Sequence, residues 1–191
     1  MAQAFADSVP ILVLPGGPGA TSTQIHPVFE APKHYAGVTK WAGSINVPSR
    51  LPSLMRYAYT QLRHGRPGPV LLEIPGDVAR QDQPGDTLEY TPPKTYRSEA
   101  DAGDVRDIVS TLLSASRPVL CAGQGVLMAE ATDELTELAE LTDTPMMATM
   151  AGKSAFSEEH PLSLGAGGRS GTLMVAHFMR AADFILGVGT S

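Results

Sequence analysis

The stretch Gly65-Arg66-Pro67-Gly68-Pro69-Val70-Leu71-Leu72-Glu73-Ile74-Pro75-Gly76-Asp77-Val78 decides the fold. Val70 to Ile74 is an apolar run entered through Gly65 to Pro69 and left through Pro75-Gly76. A run of this kind, closed at both ends by turn residues, reads as a buried strand of a parallel sheet. Pro67 and Pro69 push the residues before them into extended conformations and so fix the approach of the chain.

On the N-terminal side, Leu51 to His64 carries Leu51, Leu54, Met55, Ala58 and Leu62 at helical spacing. Ser49 is its candidate N-cap and Gly65 its candidate stop. Further back, Pro10 to Leu14 is a short apolar strand and Met1 to Ser8 the end of a helix. Strand, loop, helix and strand in that order predict a parallel α/β unit with a right-handed crossover. Pro15 to Gly19 leaves the first strand; a glycine loop there can cradle phosphate. It has neither the GxGxxG spacing nor a Lys-Ser/Thr ending, and reads as a tight strand exit. Gln24 to Lys40 is irregular and carries His26, Phe29, Glu30, His34 and Lys40. The two histidines lack the spacing of ligands on one helix. Lys40, at a strand start, has two readings: a surface lysine, or a polar group of an active site.

On the C-terminal side, residues 79–100 turn polar and proline-rich and read as a linker. A second unit begins with a helix over Asp101 to Ser114, with Val105, Ile108, Val109, Leu112 and Leu113 on its buried face. Pro118 to Ala122 is a strand, Gly123-Gln124-Gly125 its turn, Met128 to Leu141 a helix and Pro145 to Met150 the next strand. A loop with Gly165, Gly167, Gly168 and Gly171 precedes a helix over Thr172 to Ala181 and a last strand over Asp183 to Val188. The expected fold class is α/β: two incomplete three-layer units with parallel sheets, the second Rossmann-like.

With 42% hydrophobic and 18% charged residues, the 191-residue chain has the composition of an ordinary globular protein. A net charge of −6 argues against nucleic acid, whose phosphates call for a basic face. No apolar run approaches the roughly 20 residues of a spanning helix, and no signal-peptide pattern opens the chain. The lone Cys121 can form no internal disulfide, and a cytoplasmic setting is expected. Cys121 lies in an apolar strand and reads as packing. Gly152-Lys153-Ser154 resembles the end of a P-loop, but Met147 stands where that motif needs glycine. Gly168-Arg169-Ser170-Gly171 is not GxSxG. Gly123-Gln124-Gly125 follows a strand and opens a helix as a dinucleotide loop does, with Met128 replacing the third glycine.

Gly65 to Val78 resembles the end of the pyrimidine-binding domain of thiamine-diphosphate enzymes of the acetolactate synthase group. The resemblance resumes in Arg117 to Val126, Ala151 to Phe156 and His160 to Gly165, and ends in Ala182 to Gly189, in the order of that family's central domain. It implies a division into residues 1–78, the end of the pyrimidine-binding domain, a linker at 79–100, and residues 101–191, a truncated central domain. It implies thiamine diphosphate and Mg²⁺ as cofactors of the full-length enzyme, a 2-oxo acid as substrate, and a homo-oligomer. It places Phe29, Glu30 and Lys40 along the active site. Part of the family binds FAD at positions matching Gly123, Gln124, Gly125, Thr149, Met150, Gly168, Arg169 and Gly189; in other relatives the same loops are vestigial, and both readings stay open.

In that family a glutamate activates the thiamine ring, and Mg²⁺ bridges the diphosphate to a Gly-Asp-Gly motif ending in Asn. Neither is found in these residues, so the chain is expected to be an internal fragment, with no catalytic residue and no metal ligand of its own and inactive alone. The function expected from the resemblance is carboligation or decarboxylation of 2-oxo acids. Alternatives are a decarboxylase of the benzoylformate or oxalyl-CoA kind, a non-catalytic α/β assembly module, and a dinucleotide-dependent oxidoreductase using the Gly123 loop.

Overall fold

In a computed structural model, which describes residues 1–19, 21–22, 28–82, 89–94, 98–169 and 171–190, the chain divides into two compact units, Met1–Ser98 and Glu99–Ser191. His26, Ser170, Ser191 and parts of the expected linker lie outside the described residues.

Unit one contains α1 (Ala2–Ala6), β1 (Leu12–Val13), β2 (Gly16–Gly17), α2 (Ala31–Tyr35), β3 (Trp41–Ser44), α3 (Leu51–Arg63), β4 (Val70–Pro75) and α4 (Gly76–Ala79). All its strand pairs are parallel and all are made with β4. Leu12 partners Val70 and Gly16 partners Ile74, so β1 and β2 follow one line along β4 in a single register. Pro15 interrupts that line, and its carbonyl still accepts the Ile74 N–H at 2.8 Å. On the other side Trp41 partners Val70 and Ser44 partners Glu73. Val70, Leu71 and Leu72 are fully buried, as expected for the centre of a sheet. Leu72, Ile45 and Val78 form a core against which Leu51, Leu54 and Met55 of α3 pack.

Several local expectations change. Ser49 is not the cap of α3: it lies in a 3₁₀ turn over Pro48–Arg50, and Arg50 takes the N-cap position without a side-chain bond. A proline at the start of each of these turns supplies helical φ where no capping oxygen does. Gly65 follows the helix at φ +64°, the left-handed conformation that ends helices at small cost only in glycine. The stretch read as irregular holds α2 and a following 3₁₀ turn, Ala36–Val38.

Unit two contains α5 (Ala102–Ser114), β5 (Pro118–Ala122), α6 (Gln124–Ala129), α7 (Thr132–Thr142), β6 (Met146–Ala148), β7 (Ser163–Ala166), α8 (Leu173–Ala181) and β8 (Phe184–Val188). Its sheet is parallel in the order β7-β6-β5-β8, the arrangement of half a Rossmann fold. Leu112, Leu120, Ala122, Val126, Leu135, Ala139 and Met146 fill one face. Val119, Met147, Leu164 and Val175, the last from α8, fill the other. Helices on both faces of a parallel sheet make the expected three layers.

Asp101 caps α5 by accepting the Gly103 and Asp104 N–H groups. Of the expected buried face of α5 only Leu112 is buried; Val105, Ile108 and Val109 are 40–44% exposed and Leu113 is 66% exposed. Helical spacing shows which face a helix can bury, whereas burial needs a covering element, and α5 packs against the edge strand β8. The single helix expected over Met128 to Leu141 is two, α6 and α7, separated where Glu130 takes φ +56°. Gly165 and Ala166, read as loop, are the end of β7.

Candidate functional site

In unit one the ends of β2 and β4 meet the start of α2. Glu73, 5% exposed, lies over Gly17, where a side chain would collide with its Cγ and Cδ. Its Oε1 accepts the Ala31 N–H at 3.3 Å. Gly19 faces the Asp77 carboxylate, which a Cβ there would approach to 3.1 Å. The Pro15 to Gly19 turn is therefore shaped around two carboxylates. Anionic side chains in this position repel a phosphate, in keeping with a tight strand exit.

Phe29 and Glu30 sit directly before Ala31. Phe29 stacks on His34 with centroids 4.4 Å apart and meets Tyr35 edge-on at 6.1 Å. Glu30 pairs with Lys33 at 2.5 Å, and its carbonyl faces His34 Nδ1 at 2.8 Å. Phe29 is 55% exposed, so its ring offers one face to its surroundings.

Lys40 is directed elsewhere. Its ammonium donates to the carbonyls of Gln61 and, at 2.7 Å, His64, at the end of α3. Burial lowers its pKa from the ordinary lysine value. It lines a cleft of about 490 Å³ with Phe5, Ala6, Gln61, His64 and Arg66, a cleft that Phe29 and Glu30 do not border. The structure thus brings Phe29 and Glu30 together and leaves Lys40 bound to carbonyls at the C-terminal end of α3.

In unit two the glycines converge at the C-terminal ends of the strands. The Gly123 N–H donates to Val188 O at 2.8 Å and the Gly125 N–H to Gly189 O at 2.9 Å. Gly189, at φ +63°, stands so close that a Cβ on it would lie 2.6 Å from Val126 N. The turn after β5 and the end of β8 are in backbone contact, at the place where a Rossmann sheet opens its crevice. The N–H groups of Gly123 and Gly125 are taken by the chain's own carbonyls and are not available to the diphosphate of FAD or another dinucleotide. Gln124 is half-buried at the first position of α6. Thr149 is engaged locally: its N–H donates to Ala122 O at 2.8 Å, and its Oγ1 accepts the Gly152 N–H at 3.0 Å. Met150 and Gly168 are neighbours, a Cβ on Gly168 falling 3.8 Å from Met150 Cγ. Arg169 is exposed. Gly123, Gly125 and Gly189 thus lie together, and Met150 lies beside Gly168.

Among the described residues no group of three or more His, Cys, Asp or Glu side chains could hold a metal ion. Burial raises the Cys121 thiol pKa, away from the thiolate a nucleophile needs. No helix among the described residues is long and apolar enough to cross a membrane.

Two features escaped the sequence reading. Glu73 carries a signal, a charge inside an apolar strand. Its partner, Ala31, is far away in sequence and carries none. Gly152 is the other: a Cβ there would lie 2.5 Å from Ala122 O and 2.7 Å from Gly123 C.

Residues 105–191 match the family model of the thiamine pyrophosphate enzyme central domain. The chain is 33% identical to glyoxylate carboligase of Escherichia coli O157:H7 over 98% of its length, and 30% identical to acetolactate synthase of Mycobacterium bovis over 100%. It spans about a third of the length of each, 32% and 31% respectively. A crystal structure from Mycobacterium smegmatis, described as a thiamin diphosphate-dependent enzyme, superposes on all of this chain with a TM-score of 0.76. It is 24% identical and 37% covered, a likeness that carries the fold. Domain match and sequence relatives agree: residues 105–191 match the thiamine pyrophosphate enzyme central domain, and the chain along its length is similar to thiamine-diphosphate-dependent, acetolactate synthase-like enzymes.

Proposed function

We propose that this chain supplies part of a thiamine-diphosphate-dependent enzyme that decarboxylates and ligates 2-oxo acids. Residues 1–78 act as the end of a pyrimidine-binding domain, residues 79–100 as a linker, and residues 101–191 as part of a central domain. The observation that carries this reading is colinearity: the similarity to a carboligase and a synthase runs through both units at 30% identity or more. Phe29 and Glu30 line the entrance to the active site, and their exposed, tightly braced turn suits that role. Lys40 contributes by holding the end of α3. In the assembled enzyme thiamine diphosphate supplies the carbanion chemistry, and Mg²⁺ its diphosphate anchor. FAD is left out of the proposal, because the N–H groups of Gly123 and Gly125 are already engaged. The enzyme is a cytoplasmic homo-oligomer that binds no nucleic acid; the exposed apolar side of α5 suits burial against another surface.

A chimera tests the reading. The matching third of Escherichia coli glyoxylate carboligase is replaced by these 191 residues, and carbon dioxide release is followed with glyoxylate and with pyruvate. Release from either substrate is expected. A folded chimera that binds thiamine diphosphate yet releases none from both would overturn the proposal. The 191 residues alone are expected neither to bind the cofactor tightly in calorimetry with Mg²⁺ nor to turn over pyruvate. Cofactor positioning accounts for up to about 7–11 kcal/mol of such a barrier.

A further inference from the structure

Unit one buries a carboxylate that packing does not require. Glu73 lies in the central strand between Leu72 and Ile74, where an apolar side chain would fill the space without desolvating a charge. On the neighbouring strand Gly17, the partner of Pro75, leaves the Glu73 side chain a path. At the end of that path its Oε1 meets the Ala31 N–H. Ala31, 3% exposed, is the first residue of α2. The first N–H groups of a helix have no partner within it, and a carboxylate accepting one makes a charge-assisted bond.

We propose that Glu73 is a positioning residue: its carboxylate, passing over Gly17, pins the start of α2 to the central strand and sets where Phe29 and Glu30 stand. The proposal rests on the reading that these two residues line the active-site entrance. The turn they belong to is braced within itself. Glu30 O accepts the Lys33 N–H at 3.2 Å and the His34 N–H at 3.3 Å, and Phe29 stacks on the His34 ring. In a turn so braced, holding the Ala31 amide holds both neighbouring side chains. A shift of the strand-to-helix anchor would move the Phe29 ring as a body with α2.

Amide hydrogen exchange, resolved by residue with NMR on the whole chain, tests the anchor in wild type, Glu73→Leu, Glu73→Gln and Gly17→Ala. In Glu73→Leu the Ala31 amide should exchange about tenfold faster or more, with residues 29–35 following. The β4 amides should keep their rates. Glu73→Gln retains an acceptor oxygen and should restore most of the protection. Gly17→Ala leaves the carboxylate in place chemically but forces it aside, so it too should expose Ala31; it decides the matter if Glu73→Leu does not fold. Unchanged protection at Ala31 in Gly17→Ala and in folded Glu73→Leu overturns the proposal. So does a loss spread evenly over unit one, the mark of an ordinary structural residue. Exchange reads the anchor without cofactor, so its failure is distinct from failure of the entrance reading, which the chimera tests.

Discussion

Replacing Gly152 by alanine should destabilise unit two while leaving unit one unchanged. Gly152 is buried against the end of β5, and the atoms a Cβ would meet are backbone: Ala122 O at 2.5 Å, Gly123 C at 2.7 Å and Gly123 Cα at 2.8 Å. No flexible side chain can yield. The residue is also tethered, its N–H donating to both the carbonyl and the Oγ1 of Thr149 at 3.0 Å. Relief therefore has to come from moving the loop or the strand. Overpacking of this kind costs about 1–3 kcal/mol, and a backbone contact places Gly152→Ala toward the upper end. For a unit of this size the urea midpoint should fall by about 1 M or more. Gly37→Ala is the control: nothing lies within 4 Å of its added Cβ, and its φ is not in the left-handed range. It should be neutral or gain about 0.4–1 kcal/mol by restricting the unfolded chain. The single tryptophan, Trp41, lies in β3, so its fluorescence follows unit one, while far-UV circular dichroism follows both units. Gly152→Ala should shift only the dichroism transition that fluorescence does not see. A midpoint within experimental scatter of wild type would refute the reasoning, because a strand that accommodates a methyl group there cannot be closely packed against the loop.

Lys40→Met keeps the aliphatic stem and removes the ammonium from the Gln61 and His64 carbonyls. Unit one should lose about 1 kcal/mol in urea titrations read by Trp41, with hydrogen exchange in residues 29–35 unaltered. Asp183 accepts the Arg117 N–H at 2.8 Å and the Ser116 N–H at 2.9 Å, and these bonds hold its carboxyl below the usual aspartate range. Its ionised form is thus favoured by folding: the contribution is complete above the unfolded pKa and disappears as pH falls through the lower folded value. Asp183→Asn should remove that part of the acid sensitivity of unit two below about pH 4, seen as a flatter midpoint-against-pH curve.

The strands at Val70 and Pro118 were legible because each is an apolar run closed by turn residues, a signal that depends on nothing distant. The division of α6 from α7 was not, since the left-handed residue is Glu130 and no glycine or asparagine marks the break. β7 was hidden by its glycine and by its brevity. The buried side of α5 was misjudged because periodicity identifies an apolar face without identifying what covers it. In the candidate site, Phe29 and Glu30 were found through resemblance alone, and their bracing by His34 and Lys33 became visible only once a short helix formed there. The Gly123 turn looked like a ligand loop by spacing. What its N–H groups meet is decided by Val188 and Gly189, residues that only the sheet order brings alongside.

The position of the central strand in each sheet also bears on how the chain would leave a ribosome. In unit one the centre, β4, is the last strand in sequence, and β1, β2 and β3 pair with nothing but β4 among the described strands. Within these pairings none of the three meets its partner until β4 has emerged, so the apolar residues they share with it wait unburied. In unit two the centre, β5, comes first; β6 can join it at once, β7 extends the pair, and β8 is added last. Pairings distant in sequence form slowly and leave strands open to wrong partners meanwhile. Slowing translation once β4 has emerged would therefore aid unit one, whereas unit two can assemble as it is made.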